Sequence, residues 1–199
     1  VWNDQTRIKI GFLDAAYRGV GGDRCVFGEL HLGEEVVAPT GDELASAIIS
    51  QRPSAVHKNQ ILALVDTMLV PVKMEFTETP EDQIALFVRG ECERRGIAPE
   101  NVFFDSTGRG SLMNSFGRLW SPLVNGVEFG GNASKDRKVS YEMDVICSDY
   151  YFNFVSELWF AVSYTIQSGQ FRAMSEEVMA EGCMREWGWQ SKKIQVEPK

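Results

Sequence analysis

Two short apolar runs, RIKIGFL at 7–13 and NVFF at 101–104, lead straight into aspartates, Asp14 and Asp105. Their β-branched and aromatic residues predict strands. A carboxylate at the end of a buried strand is costly unless it is hydrogen-bonded, paired or bound to a metal. Between the two runs, residues 80–95 predict a helix. Thr79 supplies the N-cap, Pro80 the first helical position, Glu81 and Asp82 an acidic first turn, and Gly96 the stop. Ile84, Phe87, Val88 and Cys92 keep the spacing of a buried helical stripe. Helix, strand, acid and glycine turn in that order is α/β architecture. Open α/β sheets build their sites at the carboxyl ends of strands, which is where both aspartates fall.

The rest of the chain fills in around this frame. A glycine-rich stretch, RGVGGD at 18–23, separates the first run from a second strand over 24–32, predicting an antiparallel pair with a long loop. Residues 33–60 read as an excursion, with a short helix at 42–50 and a polar, loop-like QRPSAVHKNQ. Residues 61–72 read as a further strand or strand pair. Beyond Asp105 the pattern predicts a helix at 112–120, a strand at 124–129 and a charged loop at 135–138. A long helix at 150–168 follows, and its two apolar stripes predict burial on more than one side. A helix at 175–187 and a closing strand at 193–197 complete the chain. No repeat, low-complexity tract or linker divides it, so residues 1–199 read as one domain.

Composition narrows the chemistry. No apolar run approaches the roughly 20 residues of a membrane helix. Four cysteines at 25, 92, 147 and 183 form no CxxC pair, and His31 and His57 are the only histidines. This argues against a Cys/His zinc site, and the cysteines read as buried free thiols of a reducing compartment. The chain opens Val1-Trp2-Asn3, which reads as a piece of something longer. A net charge of -8 argues against a conventional basic nucleic-acid module. It is compatible with acids gathered around hard cations, since Mg²⁺ and Mn²⁺ take carboxylate oxygens rather than imidazole or thiolate. Asp14, Asp23 and Asp105 are the candidate ligands. Each has a plain alternative: Asp14 and Asp105 as caps of the following turn, Asp23 as ordinary Gly-Gly-Asp turn chemistry. Gly108-Arg109-Gly110 lacks the P-loop pattern, and the chain has no Walker A sequence.

Three segments in order carry a resemblance. They are Asp14-Ala15 with Gly21-Gly22-Asp23, then Asp105 with Thr107, Gly108 and Gly110, then Asn153 with Glu157, Leu158 and Trp159. Together they resemble the nuclease domain of phage DNA-packaging terminase large subunits, over nearly the whole chain. The resemblance implies an RNase H-like α/β fold, a mixed central β-sheet flanked by α-helices. It implies a metal-dependent endonuclease that cuts concatemeric double-stranded DNA with two Mg²⁺ or Mn²⁺ ions. Asp14 and Asp105 would be the catalytic metal ligands, and Asp23 a second-site ligand or an orienter. It also implies partners (an upstream ATPase domain, a portal and a small terminase subunit), the host cytoplasm as the setting, and no membrane. The family carries a further acid, in a Ser-Pro-Asp…Asp segment, after a strand resembling 193–197. The chain stops at Lys199, so a weakened second metal site is the expectation.

Other residues are placed with less chemistry behind them. Arg18, Arg24 and Arg109 flank the motif loops and are candidate phosphate contacts, with a solvated surface as the alternative. Lys135, Arg137 and Lys138 stand in the same position. Glu157 reads as structural, pairing with an arginine or capping a backbone group. Trp187 and Trp189 read as core rather than interaction surface. Two competing classes are a non-catalytic RNase H-like module for DNA binding or assembly, and a nucleotide-binding domain of the actin/sugar-kinase type.

Overall fold

A computed structural model describes residues 2–16, 24–37, 40–50, 57–73, 77–108, 110–140 and 142–197. The first three strands form an antiparallel meander. β1 (Ile8–Asp14) pairs with β2 (Val26–Val37) from Ile8 opposite Leu32 to Asp14 opposite Val26. β2 pairs with β3 (His57–Leu69) along its full length, from Val26 opposite Leu69 to Val37 opposite His57. Residues 33–60 are therefore no excursion at their two ends. They extend the β2–β3 ladder beyond the reach of β1. The extension was hidden because Glu34 and Glu35 face Gln60 and Asn59, and such a polar ladder lacks the apolar alternation that marks a strand. Between the strands lies α1 (Gly41–Ser50), as expected for 42–50, with no buried residue.

From the meander the chain crosses over through α2 (Pro80–Arg95) to β4 (Val102–Asp105), which lies parallel to β1. A second crossover, α3 (Gly110–Leu119), leads to β5 (Asn125–Val127), parallel to β4. A two-residue β6 (Phe171–Arg172) adds in parallel to β3. The result is a mixed six-stranded sheet, in the order β5-β4-β1-β2-β3-β6, flanked by helices.

The local signals around α2 are borne out. The Thr79 side chain accepts from the Asp82 N–H, and Gly96 closes the helix at φ 68°, donating to the Cys92 carbonyl. α2 and α3 press one apolar stripe each onto the sheet. Ile84, Val88 and Cys92 from α2 and Leu112 and Phe116 from α3 bury against Leu13, Phe27, Val102 and Phe104. Burying each large side chain contributes about 1.5–3 kcal/mol. The two helices are also tied to each other: Asp82 accepts from Ser115 Oγ and from Arg118, both at 2.6 Å.

The last third of the chain differs most from its sequence reading. The predicted helix at 150–168 is two elements, α4 (Cys147–Tyr150) and α5 (Phe154–Gln167). Tyr151 bridges to Ile194, the Phe152 N–H bonds the Ile194 carbonyl at 2.8 Å, and Asn153 caps α5 by accepting from the Ser156 N–H. Only Ser156 and Glu157 of α5 are buried, so the two apolar stripes are half-covered rather than enclosed. α6 (Glu176–Cys183) stops short of Trp187. The following residues form β7 (Trp187–Gln190), which pairs with β8 (Lys193–Val196) in a separate two-stranded hairpin. Alternating Trp-Gly-Trp suits a strand, and glycine disfavours a helix interior. Trp187 and Trp189 are 55% and 67% exposed, so they are not core residues. A second cluster holds this region together, built on Ala133, Val139, Cys147, Tyr151 and Ile194. Cys25, Cys92 and Cys147 are buried, whereas Cys183 is exposed. Among the described residues, no helix is long and apolar enough to cross a membrane.

Candidate functional site at the carboxyl end of β1 and β4

The two aspartates meet because of strand order. β1 and β4 are neighbours and parallel, with Gly11 opposite Val102, Phe12 opposite Phe103 and Leu13 opposite Phe104. One step further along both strands are Asp14 and Asp105. Paired strands lie about 4.8 Å apart, so the two carboxylates leave adjacent backbones at one end of the sheet. Side chains alternate across a strand. Leu13 and Phe104 enter the core, so Asp14 and Asp105 fall on the opposite face, with Phe12 and Phe103.

Their surroundings differ. Asp14 is exposed, and its carboxylate has no hydrogen bond or ion pair to any described residue. Asp105 is half-buried, and its Oδ1 accepts from the Thr107 N–H at 3.0 Å. That is the turn-capping role weighed from sequence. It occupies one oxygen and leaves the carboxylate at the sheet end. Gly108 has φ 67°, which completes the turn into α3. The Ser106 N–H continues the ladder to the Val127 carbonyl at 3.0 Å, so β5 ends beside the same loop.

The other predicted residues divide. Arg24 is exposed and precedes β2 by two residues, at the sheet end that carries Asp14. Arg18, Asp23 and Arg109 lie outside the described residues. The basic loop departs from β5 but is partly neutralised: Arg137 lies 3.8 Å from Glu157, and Lys138 lies 2.6 Å from Asp144. Glu157, 4% exposed, accepts from both the Ser134 N–H (2.7 Å) and Ser134 Oγ (2.8 Å). It thus both pairs with an arginine and caps a backbone group. With Asn153 as N-cap, two residues of the third motif hold architecture in this chain.

Sequence reading missed a buried ionic cluster on the core face of β2. Arg95 donates to Glu29 at 2.6 Å, to Asp66 at 2.7 Å and to Glu91 at 3.1 Å, while His31 Nε2 lies 2.7 Å from Glu29. Burial pushes the Glu29 carboxyl up, but hydrogen bonds from Arg95 and then His31 outweigh this and hold it below the usual carboxylate range. Its one sequence signal was the FGELHL strand, where two polar residues replace apolar ones on the inward face. The cluster lies along the strands, away from Asp14: Glu29 pairs with Gly11.

Asp14 and Asp105 are a hard-oxygen donor pair of the kind Mg²⁺ and Mn²⁺ prefer. Asp14 has no described partner that a cation would have to displace. Among the described residues, no group of three or more His, Cys, Asp or Glu is arranged to hold a metal ion. No protein-family model and no curated protein matches the chain.

Proposed function

We propose that this chain is a divalent-metal-dependent endonuclease with an RNase H-like fold, acting on double-stranded DNA as the terminase nuclease domains it resembles do. One observation carries the reading: β1 and β4 pair in a register that brings Asp14 and Asp105 to the same sheet end. The mixed sheet with crossover helices on one face supports it too. Asp14 and Asp105 would hold the ion, Mg²⁺ or Mn²⁺, with Asp23 as the third candidate. When bound, such an ion polarises water and stabilises the departing 3′ oxygen of a phosphodiester. The chain's own part is to hold two carboxylates at one rigid sheet end. The Thr107 N–H donates to Asp105 and fixes its rotamer. Arg24, exposed at the same sheet end, is the candidate phosphate contact that falls among the described residues.

The test is nicking of supercoiled plasmid in Mn²⁺ by wild type, Asp14→Asn and Asp105→Asn. Each substitution is expected to lower the rate at least a hundredfold, with circular dichroism unchanged. Wild-type cleavage surviving both substitutions defeats the reading. A second reading, a binding module without catalysis, draws on the engagement of Asp105 in its turn. It is favoured if Mn²⁺ binds, Asp14→Asn abolishes that binding, and no preparation cuts DNA.

A further inference from the structure

The β7–β8 hairpin turns at Ser191 and Lys192, whose φ values are 50° and 67°. A two-residue turn of that hand closes on a hydrogen-bonded pair, Gln190 with Lys193. Bonded and non-bonded pairs alternate along an antiparallel ladder. The bond from the Glu197 N–H to the Glu186 carbonyl, 3.0 Å, keeps that phase. Trp187 and Trp189 are therefore non-bonded positions, and their N–H and C=O groups point away from β8. Among the described residues no strand pairs with that edge, whereas β8 is backed by the Tyr151 bridge. All four β7 residues are exposed. The strand has no proline, lysine or bulge of the kind that blunts a free edge.

The side chains beside this edge carry a chemical preference. Next to β7 is a hollow of about 400 Å³, lined by Gly188, Gln190, Gln195 and the carboxylate residues Glu186 and Glu197, among others, with no Lys or Arg in its wall. Gly188 is its floor, since a Cβ there would meet nothing within 4 Å. Glu186, Gly188 and Glu197 share one face of the hairpin by register. Trp187 and Trp189 share the other. An edge of outward amides beside an acidic notch suits an extended chain bearing positive charge.

We propose that the free edge of β7 receives an extended basic segment of a partner protein by strand addition. One Lys or Arg side chain of that segment lies over Gly188 against Glu186 and Glu197. The backbone groups of Trp187 and Trp189 supply affinity, and the carboxylates supply selectivity for charge. The proposal is independent of the nuclease reading, and Asp14→Asn leaves it unchanged.

The probe is a fluorescein-labelled (Thr-Lys)₄ peptide, with (Thr-Glu)₄ as its control, titrated by anisotropy into the full chain at low salt. The lysine peptide is expected to bind at least about tenfold tighter than the glutamate peptide. Trp189→Pro removes an outward N–H without touching a bond to β8, and is expected to weaken binding about tenfold or more. Glu186→Gln, an exposed and nearly isosteric change that leaves the hairpin bonds intact, is expected to weaken the lysine peptide several-fold and to leave the glutamate peptide no weaker. Equal affinity for the two peptides, absence of binding, or wild-type affinity in both variants overturns the proposal. So does self-association in sedimentation that Trp189→Pro abolishes, because a second copy would then own the edge.

Discussion

Arg95 holds together charges that come from three elements. Its guanidinium is 11% exposed and reaches Glu29 on β2, Asp66 on β3 and Glu91 on its own helix. Arg95→Ala would leave Glu29 buried with only His31 beside it. Stranding a buried charge typically costs about 3–5 kcal/mol, and a loss of about 3 kcal/mol is expected in urea unfolding. The pH dependence follows from Glu29. Its folded carboxyl titrates below the ordinary value of 4.5, so its contribution is complete above about pH 4.5 and is lost as pH falls through the lower, folded value. Glu29→Gln should therefore be less stable than wild type at neutral pH but lose stability less steeply between about pH 5 and 3. Parallel slopes for the two proteins would contradict this. At this scale the sequence was legible where a residue breaks its local pattern, as Asp14 and Asp105 do after apolar runs. Arg95 breaks nothing: it is an ordinary basic residue in the last turn of a helix, and its partner Glu29 lies 66 residues away. No local signal reaches that far.

Elements were legible where chain-local chemistry sets their ends, and illegible where tertiary pairing does. The limits of α2 follow from Thr79, Pro80 and Gly96 within a few residues. The split between α4 and α5 depends on a contact with Ile194, some forty residues on, so apolar periodicity ran the two together. β6 is two residues long and exists because β3 offers it an edge. The β1–β2 pair supplies a prediction. Phe12 lies opposite Gly28, and a Cβ on Gly28 would stand 2.2 Å from the Phe12 ring. Gly28→Ala must displace that ring from the sheet face, at about 1–3 kcal/mol for overpacking. Phe12→Leu in the same chain should recover part of the loss, because the two positions share one space. Thermal unfolding of the four proteins of this cycle measures the coupling. Strict additivity would mean that the ring moves away without cost.

For the whole molecule, the net charge of -8 changes its meaning once the acids are located. Some are spent internally, on Arg95, on Arg118 and on the Ser134 loop. Asp14 stands exposed at the sheet end without a described partner, and Glu186 and Glu197 border the β7 hollow. Burial is as unevenly spread as charge. Among the described residues, the cluster between the sheet and α2–α3 has fifteen that are buried, including Ile84, Val88, Val102 and Phe116 at 0% exposure. α1 and α6 have no buried residue at all. Helices of 10 and 8 residues are marginal in water without packing. Local opening free energies should therefore span the full range within one chain. In native-state hydrogen exchange, amides of β1, β4 and α2 should exchange only through global unfolding, with the slope against denaturant that such unfolding requires. Amides of α1 and α6 should exchange through small openings, nearly independent of denaturant. Glu157→Ala should move the amides of 133–139 and α5 toward the second group while leaving β1 and β4 in the first, because its bonds tie α5 to that loop and none reaches the sheet. If β1 moved with them, the two clusters would unfold as one unit, and the sheet end carrying Asp14 and Asp105 would depend on the C-terminal helices for its rigidity.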